Sequence, residues 1–134
     1  MKQAFLNGSG AVTLWVLLFA PTGCRELTTV DRSYQRVVVN DFSAPLRTLL
    51  PAFNGSPSSI TLQISGTVSQ PVTLVINQLV PGQGRQLVRR DTLAAGTYTD
   101  RYIGGDYYSR EETELVVTGA PGATGSLTID WHRY

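Results

Sequence analysis

Cysteine, histidine and lysine each occur once in the 134 residues, as Cys24, His132 and Lys2. A lone cysteine excludes a disulfide framework, and with one histidine beside it there are too few soft ligands for a zinc site. Charge is scarce as well: 16% of residues are charged, with eleven Lys+Arg against ten Asp+Glu. That balance excludes a strongly basic nucleic-acid binder and an acidic tail, so no nucleic-acid partner is expected. There is no Gly-x-Ser-x-Gly elbow, and no lysine beyond residue 2 to complete a phosphate-cradling loop. No apolar run approaches the roughly 20 residues that a membrane-crossing helix needs. Hydrophobic residues still make up 42% of the chain, which is enough for one packed domain.

The longest apolar run, Ala11–Ala20, follows Lys2 and an Asn7-Gly8-Ser9-Gly10 break, and Pro21-Thr22-Gly23 lead from it into Cys24. A short apolar core behind a positive amino terminus is the form of a secretory signal. Pro21 ends any helix and exposes the backbone to a peptidase. With Thr22 and Gly23 as the small residues before the cysteine, residues 1–24 resemble a bacterial lipoprotein precursor. Pro21 stands where that family usually has an aliphatic residue. The resemblance implies cleavage before Cys24, acylation of Cys24, and a protein held by lipid on the bacterial cell envelope, facing periplasm or exterior. Residues 1–23 are then a signal peptide, 24–32 a polar tether and 33–134 the folded domain. An uncleaved anchor and plain secretion are the alternatives.

Beyond the tether the chain reads as strands. Thirteen glycines, seven prolines and many Ser and Thr favour turns and strands over long helices. Val37-Val38-Val39 suits a first strand, and Ile60/Leu62/Ile64, Val72/Leu74/Ile76 and Leu127/Ile129/Trp131 each alternate with polar neighbours. These nine side chains are expected in one core. The Ile60 and Val72 runs, separated by the short segment Gly66–Gln70, are expected to pair as an antiparallel hairpin. Between Asp41 and Phe53, the spacing of Leu46, Leu49, Leu50 and Phe53 predicts one short helical turn in a loop bounded by Pro45 and Pro51. Leu87 is expected to point inward, Gly104-Gly105 to interrupt a strand, and Leu115 and Val117 to share a face. Seven or eight short strands with a turn every ten residues or so give an all-β, antiparallel β-sandwich, jelly-roll or Ig-like. The mature segment is also loosely similar to small secreted bacterial β-sandwich modules.

Chemistry is sparse. His132 alternates with Trp131 and so points to solvent on the last strand, which leaves a catalytic triad without its base. Asp100, Asp106, Glu111, Glu112 and Glu114 lie within fifteen residues and could offer oxygen ligands to calcium. Arg101 and Arg110 interrupt them, so a self-neutralising solvated face is the simpler expectation, and no cofactor is expected. Four of the six tyrosines, Tyr98, Tyr102, Tyr107 and Tyr108, fall within eleven residues. Tyrosine offers rigid amphipathic contact area, as binding surfaces require, and is also an ordinary strand residue. The expected binding residues are therefore Tyr102, Tyr107, Tyr108 and Arg110, with a protein or a glycan as partner and the membrane held through the lipid. The function expected is a non-catalytic binding or assembly module of the envelope. Its rivals are a small secreted hydrolase using loop carboxylates such as Asp106 and Glu111, and a structural subunit pairing through a sheet edge.

Overall fold

The computed structural model describes residues 34–134. Cys24, the leader and the tether lie outside the described residues. Eight strands follow one another: β1 (Tyr34–Val39), β2 (Leu46–Leu50), β3 (Ser59–Val68), β4 (Val72–Val80), β5 (Gly84–Leu93), β6 (Gly96–Asp106), β7 (Glu112–Gly119) and β8 (Gly125–Arg133). Among the described residues there is no helix. The strands form two antiparallel four-stranded sheets, sheet A in the order β1-β8-β3-β6 and sheet B in the order β2-β7-β4-β5. Every connection except β4–β5 passes from one sheet to the other, which is the winding of a jelly roll.

The alternation read from the sequence fills the space between the sheets. All nine expected side chains, from Ile60 to Trp131, are buried in one cluster. Leu115 and Val117 join them, as do Val37, Val39, Leu50, Leu93 and Ile103. Removing this apolar surface from water is the dominant favourable contribution to the fold.

Four local expectations are corrected. Residues 46–50 form β2 instead of a helical turn: Pro45 and Pro51 bracket the strand, and β2 is an edge strand, where a missing N–H does little harm. Leu50 reaches the core while Leu49 faces out, 45% exposed. The β3 and β4 runs are not a hairpin. Their link crosses between the sheets, held by the β7–β8 loop, where Ser69 N donates to Thr124 O at 2.9 Å and Ala120 N donates to Pro71 O at 2.8 Å. Period-two alternation states which face of a strand is buried and says nothing about its neighbour.

Leu87 points outward and is 61% exposed. The β4–β5 register shifts after Ile76, which pairs with Arg89 while Asn77 pairs with Leu87. The extra residue, Val88, packs against the core, and a one-residue bulge turns Leu87 to the other face. Finally, β6 runs unbroken through Gly104 and Gly105. Gly104 is required there, since a side chain would press on the Ile60 carbonyl of β3, 2.8 Å from its Cβ position.

The open flanks of the sandwich are tied. On one side Thr48 Oγ1 of β2 donates to Gln35 Oε1 of β1 at 2.7 Å. On the other, Arg89 of β5 donates from Nη1 to the Gly104 carbonyl of β6 and from Nε to Asp91. A charged side chain over a strand edge also discourages unwanted pairing.

Candidate functional site

The outward positions of β1, β8 and β3 are the polar halves of their alternating patterns, and the register sets them in rows. One row runs Tyr34–His132–Thr61–Gly104 and the next Arg36–Asp130–Gln63–Tyr102, from β1 across to β6. Tyr134, just past β8, extends this face. The Tyr34 ring meets His132 edge-on, with centroids 5.8 Å apart, and His132 lies against Tyr134 at 4.1 Å. Tyr102 stands at the opposite side, 65% exposed. Between the rings, Thr61, Gln63 and Asp130 line a small hollow of about 100 Å³.

The polar groups of the hollow are held in place by their neighbours. Asp130 Oδ1 accepts from the Tyr34 hydroxyl and from Arg36 Nε, both at 2.7 Å, and Oδ2 accepts from Arg36 Nη2 at 2.9 Å. The Arg36 contact holds the Asp130 carboxyl below the usual carboxylate range, against a smaller opposing effect of burial. The hydrogen bond from its hydroxyl to Asp130 raises the Tyr34 phenol. Gln63 Nε2 donates to Asp100 Oδ1 at 3.0 Å, and Ser65 Oγ donates to the same oxygen at 3.3 Å. Asp100 reaches this position from a backbone with φ of 49°, beside the register shift of β3 against β6.

Of the expected binding residues, Tyr102 alone lies on this face. Tyr107 is a core residue, 4% exposed, whose hydroxyl meets Thr113 Oγ1 at 2.7 Å. It cannot contact a partner without unfolding its surroundings. Tyr108 is 71% exposed on the β6–β7 loop. Arg110, on the same loop, donates from Nη2 to Ser56 Oγ at 2.8 Å. The tyrosine-rich segment is therefore divided among a sheet face, the core and a loop.

The acidic residues are dispersed as well. Among the described residues, no three or more Asp, Glu, His or Cys side chains gather where they could hold a metal ion. Glu111 and Glu112 border a shallow depression of about 500 Å³ floored by Ala52, Leu79, Val80 and Pro81, and Asp106 is not part of its lining. Glu114 is buried on the outer face of sheet B beneath Arg47 and Arg85.

Sequence reasoning missed Tyr34, Gln63, Asp130 and Tyr134 as members of one site. Each is legible as an outward position, but only the order β1-β8-β3-β6 brings them together.

No protein-family model matches the chain, and no curated protein matches it. Solved structures resemble it at low identity. One, described as a crystal structure of PirA, is 13% identical with a TM-score of 0.49, over 76% of this chain and 94% of that one. Another, described as the structure of infectious bursal disease virus Gx strain, is 16% identical with a TM-score of 0.37, over 75% of this chain and 30% of that one. Neither likeness speaks to what this chain binds.

Proposed function

We propose that this protein is a lipid-anchored, non-catalytic module of the bacterial cell envelope that binds its ligand on the outer face of sheet A. The observation that carries the reading is the hollow between the Tyr34, His132 and Tyr134 rings and the Tyr102 ring, with hydrogen-bonding groups already fixed at its floor. Rigid aromatic rings around a few oriented polar groups are what a small recognition site requires. The floor of the face is built on β8 and β3, each paired on both sides, so it is preorganised.

The anchor rests on the signal-like residues 1–23 and on Cys24. Ten residue steps separate Cys24 from Tyr34, the first position of the binding face. An extended chain covers about 35 Å over that length, so the lipid would keep the face close to the membrane surface.

The test is capture of isolated envelope material by the immobilised full chain. Tyr102→Ala combined with Tyr134→Ala should abolish capture, and Leu87→Ala, on the outer face of sheet B, should leave it intact. Equal capture by all three proteins would refute the reading.

A further inference from the structure

We infer that the ligand of the sheet A face is a neutral oligosaccharide bearing free hydroxyl groups. This inference rests on the reading of that face as the binding surface, and it follows from the charge, the hydrogen-bonding polarity and the span of the site.

Charge comes first. Asp130 is the charged residue lining the hollow, and the Nε and Nη2 donors of Arg36 are already engaged with it. An anionic ligand would meet the Asp130 carboxylate with no uncommitted arginine in the lining to receive it, and Asp100 adds a second carboxylate at the edge. A cationic ligand gains little from a carboxylate already neutralised by a bidentate arginine. The site thus discriminates against both charge types.

Hydrogen-bonding polarity narrows the class further. Gln63 commits one Nε2 hydrogen to Asp100 and keeps its carbonyl oxygen as an acceptor. Asp130 is an acceptor throughout, and the Tyr34 hydroxyl spends its proton on it. These groups offer acceptors and call for a ligand with O–H or N–H donors, while the hydroxyls of Thr61, Tyr102 and Tyr134 can donate or accept, a combination that suits hydroxyl groups. A sugar ring supplies these at its edge while presenting an apolar C–H face to a tyrosine.

Span decides between one sugar and several. Tyr34 and Tyr102 lie on strands three positions apart and two residues along, roughly 15 Å on ordinary sheet spacings. Over that backbone span a short oligosaccharide can follow the whole face, from the Tyr34 side to the Tyr102 side, with the hollow between them. The hollow, at about 100 Å³, admits hydroxyl groups but is too small to enclose the large aromatic anchor that protein interfaces favour.

The experiment titrates the full chain with tri-N-acetylchitotriose, cellotriose, the cationic de-N-acetylated chitotriose and trigalacturonate, following protein amide shifts and heat. A neutral trimer should bind, and Tyr102→Ala should weaken it at least tenfold, while Tyr102→Phe stays within a few-fold of the parent. Gln63→Leu should weaken it as well, because the offered acceptor is gone. Trigalacturonate should not bind. Preferential binding of either charged trimer would overturn the neutral assignment. If no trimer binds but capture of protease-sensitive envelope material still depends on Tyr102 and Tyr134, the ligand is a protein: the saccharide inference falls and the binding face stands. If neither trimers nor envelope material bind in a way that depends on these tyrosines, both readings fall.

Discussion

Arg85 on β5 reaches across β4 and grips Glu114 on β7 with two donors, Nε to Oε2 at 2.8 Å and Nη2 to Oε1 at 3.2 Å. Arg47 from β2 donates to Oε1 and Asn77 from β4 donates to Oε2, both at 3.1 Å. One carboxylate thus joins all four strands of sheet B on its outer face. The Glu114 side chain is 3% exposed, whereas those of Arg47 and Arg85 are more than half exposed. Burial pushes the Glu114 carboxyl up, and the hydrogen bonds from Arg85, Asn77 and Arg47 outweigh it, so the group sits below the usual range.

Acid should therefore weaken the fold. Glu114 and Asp130 both have folded-state pKa values below those of the unfolded chain. Their stabilisation is complete above the ordinary carboxylate range, near about 4, and is lost as pH falls through the lower folded values. The urea midpoint should be flat from neutral pH to about 5 and fall below about 4. Glu114→Gln should shrink that fall, and Glu114→Ala should cost about 1–3 kcal/mol at neutral pH. A midpoint that rises on acidification would contradict the assignment.

Tyr107 and Tyr108 are adjacent in sequence and should behave oppositely. Tyr107→Ala empties a core position and should cost about 3–5 kcal/mol, and Tyr107→Phe, which removes only the hydroxyl bonded to Thr113, about 0.5–1.5 kcal/mol. Tyr108→Ala should stay within about 0.5 kcal/mol of the parent. Thermal melts of the three variants settle the matter, and a Tyr107→Ala protein as stable as the parent would show that the ring is not core.

These contrasts mark how far the sequence could be read. Alternation identified the inward residues of β3, β4 and β8, because a strand buried on one face repeats its apolar residues every second position. It failed at Leu87, where a bulge shifts the phase, and at β2, whose five residues are too few to separate a strand period from a helical one. Strand order depends on which distant segments pair, and neither propensity nor period encodes that. The site on sheet A combines outward residues of all four of its strands with Tyr134, so it stayed hidden while each of its members was visible.

Arg133 should prove to be a clamp. Its guanidinium is buried at the end of the core, where Nη2 donates to the Pro51 carbonyl at 2.6 Å and Nη1 to the Glu111 carbonyl at 2.8 Å. Nη1 also reaches Thr113 Oγ1 at 3.1 Å, and the group lies 5.0 Å from the centre of the Phe53 ring. Burial lowers its pKa, with Tyr107 opposing. Carbonyl dipoles from two loops thus take the place of a counter-ion. Arg133→Ala would remove the guanidinium donor from the Pro51 carbonyl and leave the Glu111 carbonyl with Thr113 Oγ1, and should cost about 3 kcal/mol or more. Arg133→Lys should rescue little, because a single ammonium lacks the planar fork that serves two carbonyls at once. Full stability of the lysine variant in urea melts would reduce the clamp to a simple charge effect.

The lysine count provides a test of the proposed anchor. Cleavage before Cys24 would remove Lys2, the one lysine in the chain, and leave the new α-amine of Cys24 as the sole primary amine. Complete acylation of that amine would block it too. Protein purified from native membranes should then take up one amine-reactive label at most and partition into detergent. Its hold on the membrane should scale with acyl burial, at roughly 0.8 kcal/mol per methylene. Cys24→Ser removes the one thiol that could carry a thioether-linked lipid, so it should release or misprocess the protein. Recovery of mature material labelled at Lys2 would mean that the leader is retained. A fully soluble protein with an unmodified Cys24 would refute the lipid anchor, while the sheet A face would still have to be judged on its own binding data.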